Sequence, residues 1–210
     1  MTRYGYATST EYLDRVTREL DENPNVSAII FDVNSGGGIG YGNQRLSKTI
    51  QSAGTTTVLF YQTCASAALE AFKSCDYIIA NEDDSRIGSY GSYFSMTFVS
   101  DEGLKEYGYK RIEVYAPQST EKNIEVRDAK KGDNAKMEEM LRKSVDFMIA
   151  DMNEQRPLNS DEWQTGKLFN ANEAIEIGLT DQILSINETI RSSQTKCSLD
   201  FNGKNIQSIL

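Results

Sequence analysis

Short apolar runs that alternate with helix-forming stretches are the feature that most restricts the fold of this chain. Val26–Val33 is a nearly continuous apolar run, Thr57–Tyr61 is β-branched and aromatic, and Asp76–Ala80 is a third short apolar segment. Such compositions are typical of strands that are buried on both faces. Because helical patterns separate successive strands, the sequence predicts βαβ units and an α/β fold with a mostly parallel sheet.

The other predicted elements follow from capping residues, glycines and the spacing of apolar residues. The predicted helices are Glu11–Asp21, Asn43–Ser52, Ala67–Lys73, Gly103–Gly108 and Ala135–Gln155. Arg111–Tyr115 is predicted as a further strand, and Pro117–Asp133 is interpreted as a poorly patterned, polar surface segment. Thr165–Leu184 is expected to contain a compact loop, a helix and a strand.

Composition restricts the class of protein. The chain has 210 residues, enough for one α/β domain, and a net charge of −9 without a basic stripe, which argues against a nucleic-acid partner. No apolar run has membrane-spanning length, and the N-terminus lacks a secretory signal. Cys64, Cys75 and Cys197 lack metal-ligand spacing. We therefore expect free thiols in a reducing cytoplasm, with Cys64 and Cys75 in the core.

The absence of histidine restricts the chemistry further. Ser-His-Asp and Cys-His catalysis and most zinc sites require histidine. A serine nucleophile in this chain would need another base, and lysine is the usual alternative. No metal and no cofactor are expected.

Ser66 lies where a predicted strand meets a predicted helix, in the stretch Thr63–Leu69. The backbone N–H groups at the start of a helix are unpaired, and they favour a developing negative charge. Ser66 could therefore be either a helix cap or a nucleophile. A glycine cluster, Gly36–Gly42, follows the first strand and would let its backbone approach another molecule closely. Its spacing fits neither a dinucleotide-binding motif nor a phosphate loop.

Four short motifs occur in a fixed order along the chain. They are Asn34-Ser35-Gly36-Gly37-Gly38, Ala65-Ser66-Ala67-Ala68, Asp76–Ala80 followed by Gly88-Ser89-Tyr90-Gly91, and Gly166–Phe169 followed by Ala174, Gly178-Leu179 and Asp181. Together they resemble the S49 family of Ser-Lys peptidases, which includes signal peptide peptidase A enzymes and phage capsid-maturation proteases. The resemblance implies the ClpP/crotonase fold, with repeated ββα and βαβ units.

The resemblance extends from about Tyr4 to Ile186, so residues 1–186 are predicted to form the peptidase domain. Family members usually begin with an apolar strand that is missing here. Residues 187–210 are expected to form a tail that adds a strand or an oligomer contact. The Ala-Ser-Ala-Ala form of the second motif favours a phage or prophage capsid protease in the bacterial cytoplasm over a cellular signal-peptide-peptidase-like enzyme.

The family's catalytic roles fall on specific residues of this chain. Ser66 would be the nucleophile, and the N–H groups of Gly37 or Gly38 would join that of Ala67 in an oxyanion hole. Gly36 stands where the family commonly has proline. Lys122 is the best positional match for the general base, and Lys130 and Lys131 are the alternatives.

The substrate is expected to be an extended peptide segment of a protein. It would lie as an added strand beside the glycine turn and the Gly88–Gly91 stretch, contacting Gly36, Ile39, Gly88, Ser89 and Tyr90. Ser89 could also hydrogen-bond near the dyad or serve as a structural turn residue. A homo-oligomer is expected.

Two other functions are compatible with the same fold. One is crotonase-like acyl-CoA chemistry, for which Glu70 is the acidic residue close to Ser66 in sequence. The other is a non-catalytic assembly module that has lost the base.

Overall fold

The structure, a computed structural model, describes residues 8–194. Within that range, the residues up to Gly91 and from Met148 onward form one compact unit, and Ser92–Phe147 form a second. No helix within residues 8–194 is long and apolar enough to cross a membrane.

Strands and helices alternate along the chain, as predicted. The strands are Ala28–Ser35 (β1), Thr56–Ala65 (β2), Tyr77–Ala80 (β3), Arg86–Gly88 (β4), Leu168–Asn170 (β5) and Gln182–Ile183 (β6). The helices are Thr10–Asp21 (α1), Asn43–Gln51 (α2), Ala67–Phe72 (α3), Asp101–Glu106 (α4), Ile124–Ala129 (α5), Ala135–Gln155 (α6), Ala171–Glu176 (α7) and Ile186–Gln194 (α8). A short 3-10 helix covers Glu162–Thr165.

The sheet of the first unit is built around β2. One edge of β2 pairs in parallel with β1, from Ala28 opposite Thr56 to Ser35 opposite Cys64. The other edge of β2 pairs first with β3 and then, beyond Tyr61, with β4, and both pairings are parallel. β6 extends the sheet in parallel beside β3, while β5 is antiparallel to β4. The prediction of a mostly parallel sheet is therefore confirmed.

Side chains of β2 are buried on both faces of the sheet, which explains its continuous apolar composition. Leu59 and Tyr61 belong to the larger hydrophobic core, whereas Val58 and Phe60 pack with Ile79 on the opposite face. Each fully buried aliphatic or aromatic side chain contributes roughly 1.5–3 kcal/mol to folding. This burial fixes the strand, and with it the position of the residue that follows Ala65.

The two cysteines predicted to lie in the core do so. Cys64 and Cys75 are buried and are not in disulfides. Burial raises the pKa of both thiols well above the ordinary value, so neither is a reactive thiolate. Cys197 lies outside the described residues.

One prediction for the second unit was wrong. Arg111–Tyr115 forms no strand; Ile112 and Val114 are 75% and 87% exposed. The polar segment Pro117–Asp133, interpreted as a surface segment, contains α5, none of whose residues is buried. That helix begins after Asn123, a residue type that often caps helices, but at its positive φ of 52° the Asn123 side chain makes no capping hydrogen bond.

The predicted tail begins within a helix. α8 covers Ile186–Gln194, and the remaining residues, like the segment before Thr8, lie outside the described range. The domain limits 1–186 and 187–210 stay predictions.

Candidate active site

Ser66 occupies the single-residue junction between β2 and α3, and its backbone is strained. Its φ of 54° and ψ of −124° lie in a region that residues with a side chain rarely adopt. Two backbone hydrogen bonds hold this conformation, since the Ser66 N–H donates to Gly88 O at 2.8 Å and the Glu70 N–H donates to Ser66 O at 3.1 Å. The Ser66 hydroxyl does not cap α3, so its oxygen is left free for chemistry.

The glycine turn after β1 lies directly against Ser66. A Cβ atom on Gly37 would meet Ala65 O and Ser66 Cβ at 2.7 Å, and the Ala67 nitrogen at 3.0 Å. Gly37 also has a φ of 96°, which favours glycine. Only a residue without a side chain can bring this backbone so close to Ser66.

The N–H groups beside Ser66 differ in their availability. The Gly37 N–H donates to Ser35 Oγ at 3.2 Å. Within the described part of the chain, the Gly38 and Ala67 N–H groups have no acceptor, while Ala67 O is held by Asn43 Nδ2 at 2.8 Å. Of the N–H groups predicted to form the oxyanion hole, those of Gly38 and Ala67 are therefore the two that are available to a substrate oxygen.

The Gly88–Tyr90 stretch forms another wall beside Ser66. A Cβ on Gly88 would lie 2.5 Å from Lys167 O, and the Ser89 N–H donates to the same oxygen at 2.8 Å. Ser89 has a positive φ of 49° and is half-buried. These contacts with the segment before β5 fix the backbone whose carbonyl accepts the Ser66 N–H.

The predicted substrate-contacting residues differ in exposure. Gly36 is exposed and Ile39 is 90% exposed, so both are accessible to a peptide. The Tyr90 side chain is buried, packs against Trp163 at 5.5 Å between ring centroids, and donates hydrogen bonds to Glu70 and to Met148 O. A substrate could therefore contact only the backbone of Tyr90 and not its side chain.

A buried ion-pair network behind Ser66 was not predicted from the sequence. The Lys73 ammonium lies 2.7 Å from Glu70 Oε1 and 2.7 Å from Asp151 Oδ2, and its side chain is fully buried. Burial raises the pKa of Asp151, but the hydrogen bond and charge of Lys73 outweigh it, so that pKa is lowered overall. The i, i+3 spacing of Glu70 and Lys73 on a helix was the available signal.

The Glu70 carboxylate is fully engaged by this network. Tyr90 donates to its second oxygen, while Lys73 binds its first. A carboxylate held in this way is not free to exchange protons with a substrate, which counts against its role as the acid in crotonase-like chemistry.

The three candidate base lysines all lie in the second unit. Lys130 is paired with Glu113 at 2.7 Å and Lys131 with Asp128 at 3.5 Å. Lys122 lies exposed in the turn before α5 and forms no ion pair with a described residue. Lys122 is thus the candidate whose amine is not already bound to a carboxylate.

Solved structures show which fold this is. Two mutants of a membrane-bound stomatin-specific protease each superpose with a TM-score of 0.57, covering 87% of this chain at 15% and 16% identity and 78% and 72% of their own chains. A ClpP1 mutant from Listeria monocytogenes gives 0.51 at 16% identity, covering 85% of both chains. An enoyl-CoA hydratase/isomerase family member gives 0.50 at 14% identity, covering 91% of this chain and 67% of its own.

The chain therefore has the ClpP/crotonase fold, as the sequence motifs implied. No protein-family model matches the sequence, and no curated protein matches it significantly. At these identities the likeness extends to the fold alone, and the activity has to be argued from the site.

Proposed function

We propose that this chain is a serine endopeptidase that uses Ser66 and a lysine base on extended peptide segments. The observation that carries the proposal is the strained Ser66 junction with the Gly37 backbone packed against it. Strain of this kind persists where the surrounding structure enforces it, and it is concentrated at active sites.

The proposed reaction begins when the Ser66 hydroxyl attacks a peptide carbonyl as the lysine amine removes its proton. The carbonyl oxygen becomes negative and accepts hydrogen bonds from the Gly38 and Ala67 N–H groups. A donor of this kind is worth about 3 kcal/mol in the transition state. The lysine then protonates the leaving amine, and water hydrolyses the acyl-enzyme in a second cycle.

The proposed substrate lies as an extended strand between the two walls of the site. The exposed backbone of residues 36–41 in the glycine turn could supply main-chain hydrogen bonds to it, with the half-buried Ser89 and Gly91 on the other side. One of the similar stomatin-specific protease structures is described as a complex with a substrate peptide, and the two mutants replace a serine and a lysine by alanine. This supports a Ser-Lys peptidase of the S49 type.

Within that family we propose the capsid-maturation type, in the cytoplasm of a bacterial host. The Ala65-Ser66-Ala67-Ala68 motif supports it. The cellular signal-peptide-peptidase-like type is the alternative, and cleavage of signal peptides in preference to capsid or scaffold peptides would favour it.

The nucleophile is tested by comparing hydrolysis of a fluorogenic peptide library by the wild type and Ser66→Ala. We expect at least a thousandfold loss of rate. Labelling of wild type but not Ser66→Ala by a fluorophosphonate, read by mass spectrometry, would locate the reactive hydroxyl. Equal hydrolysis by both proteins would eliminate the proposal.

The base is tested with three lysine variants that differ only in position. Lys122→Ala should abolish turnover, while Lys130→Ala and Lys131→Ala, which lose only surface ion pairs, should stay within about twofold of wild type. If Lys122→Ala retains full activity, the base is another lysine.

We also propose that the chain assembles with copies of itself through two apolar segments of the second unit, Tyr93–Val99 and Ile112–Tyr115. Tyr93 and Val114 are 88% and 87% exposed. Within the described chain, the backbone of 93–98 and of 112–115 forms no hydrogen bond with other residues. A backbone without hydrogen-bond partners, in segments with exposed apolar side chains, can pair with the same segment of a second copy about a two-fold axis.

A further inference from the structure

Three buried polar side chains and one partly buried carboxylate behind Ser66 form one continuous network, which we call the α3 network. It consists of Glu70, Lys73, Tyr90 and Asp151. Lys73 joins the two carboxylates at 2.7 Å each, and the Tyr90 hydroxyl donates to the Glu70 oxygen that Lys73 leaves free. The network therefore links α3, the segment after β4, and α6.

Two members of the α3 network, Glu70 and Tyr90, lie close in the chain to the backbone groups that fix Ser66. Glu70 lies one turn into α3, and its N–H donates to Ser66 O at 3.1 Å. Tyr90 lies two residues after Gly88, whose carbonyl accepts the Ser66 N–H at 2.8 Å. The Tyr90–Glu70 hydrogen bond thus closes a ring in which both backbone groups of Ser66 are held.

Stability alone does not explain why these groups are charged. Removing an ammonium and two carboxylates from water costs several kcal/mol per ion, and apolar side chains of the same volume often stabilise a fold equally well or better. Hydrogen-bonded ions differ from apolar side chains in being directional, because they fix distances and angles between the elements they join. The Lys73 side chain is fully buried, so it cannot serve as a surface charge.

We propose that the α3 network is a positioning device that holds Ser66 in its strained conformation and aims its hydroxyl. This inference rests on the proposed peptidase function. None of the four side chains has to touch the substrate. They act through the two Ser66 backbone hydrogen bonds, in which a small displacement would misalign the nucleophile.

The test removes one hydroxyl from the network and one from a matched control. Tyr90→Phe deletes the link between Glu70 and the Gly88 segment and keeps the ring against Trp163. Tyr61→Phe deletes another buried tyrosine hydroxyl, which pairs with Thr180 Oγ1 at 2.7 Å and takes no part in the network. Both variants are compared with wild type by peptide hydrolysis and by hydrogen exchange of the Ser66 and Glu70 amides.

We expect Tyr90→Phe to lower kcat about tenfold with KM within about twofold of wild type, because misalignment of Ser66 slows its attack on the substrate and leaves substrate binding unchanged. The exchange rates of the Ser66 and Glu70 amides should rise about tenfold relative to the other core amides. Tyr61→Phe should change neither measurement at these sites. An unchanged kcat in Tyr90→Phe, or an equal fall of kcat in both variants, would overturn the positioning role.

The exchange measurement separates this inference from the proposed function. If wild type hydrolyses no peptide but Tyr90→Phe still loosens the Ser66 and Glu70 amides selectively, the peptidase proposal fails and the positioning role stands. If those amides keep their protection, the positioning role fails whatever the activity. Should Tyr90→Phe not fold, Glu70→Met, which removes the acceptor of the Tyr90 hydroxyl and keeps a side chain of similar volume, is judged by the same criteria.

Discussion

At the scale of single residues, the backbone of Ser66 carries a free-energy cost. A residue with a Cβ atom at φ 54° and ψ −124° is disfavoured by about 1–3 kcal/mol relative to an ordinary conformation. The strained residue is thus the same residue that is proposed to attack the substrate. Removal of the Cβ atom should therefore stabilise the protein.

We expect Ser66→Gly to be about 1 kcal/mol more stable than Ser66→Ala, although both lack the hydroxyl and both are inactive. Urea denaturation of the two variants measures the difference. The control is the same pair at Ser52, where φ is −90° and the order should reverse. If alanine is the more stable residue at position 66 as well, the junction is not strained.

Gly37 is the second residue whose size the site restricts. Gly37→Ala would place a Cβ 2.7 Å from Ala65 O and Ser66 Cβ at an unfavourable φ, so it should displace the turn. We expect a loss of stability of more than about 1 kcal/mol and a fall of kcat of at least tenfold.

Gly36→Ala is the matched control for Gly37. A Cβ at Gly36 would meet no atom within 4 Å. Its thermal stability should stay close to that of wild type, because the added methyl group meets no other atom. Equal effects of the two substitutions would mean that the close contact at Gly37 has no role in the site.

At the scale of secondary-structure elements, the ion pairs that join α3 to α6 make stability depend on pH. The net pKa of Asp151 is lowered in the folded protein, since the bond to Lys73 outweighs the effect of burial, and the pKa of Asp14, bonded to Thr49 and Arg18, is lowered in the same sense. A lowered pKa means that the unfolded chain binds protons first. These two carboxylates therefore stabilise the fold fully at a pH above their unfolded pKa of about 3.9. Their contribution is lost as the pH falls toward their lower pKa in the folded protein.

We expect Asp151→Asn to be about 1–3 kcal/mol less stable than wild type at pH 7, because Lys73 loses one charged acceptor. The gap should narrow at pH 3, because Asp151 of the unfolded wild type, with an ordinary pKa of about 3.9, binds a proton there before the folded protein does. Urea denaturation at both pH values measures this. If the difference in free energy of unfolding between the variant and wild type is the same at both pH values, the Lys73–Asp151 pair does not make stability depend on pH.

The elements themselves were largely predictable where burial is two-sided. β1, β2 and β3 lie close to the predicted apolar runs, and α6 covers the predicted residues, because their apolar spacing decides both the structure and the burial. Arg111–Tyr115 has the same β-like composition. However, β-branched and aromatic residues favour a strand only where they pack against neighbouring strands, and no described strand lies beside this segment.

The candidate site also has a part that the sequence predicts and a part that it does not. Ser66 and the glycine turn could be predicted because a strand, a junction and a helix are local patterns. The α3 network could not, since Tyr90 and Asp151 reach Glu70 and Lys73 from distant parts of the chain. The spacing of charged residues within α3 shows only that two of them share a helix face.

At the scale of the whole molecule, the first unit holds Ser66 and the second holds Lys122. The second unit also carries the apolar segments, whose exposure is unusual for a protein that acts alone. The proposed base and the proposed self-association surface therefore both consist of residues of the second unit.

We expect Tyr93→Ser to weaken self-association at least tenfold, because Tyr93 is 88% exposed in an apolar segment and would be buried between copies. Analytical ultracentrifugation over a range of concentrations measures this. Tyr12→Ser is the control, because Tyr12 is 55% exposed on α1 and lies outside those segments. The same dissociation constant for both variants would place the interface elsewhere.

The pairing of β4 with β5 has a consequence for how the protein is made. Gly88 holds the Ser66 N–H, and it is itself held by Leu168, about eighty residues later in the chain. A ribosome-bound chain that has emerged only as far as α6 therefore contains Ser66 but lacks the strand that completes its surroundings. Because synthesis proceeds from the N-terminus, the contacts that hold Ser66 form only after β5 has been made, so the proposed peptidase is expected to be inactive while this part of the chain is translated.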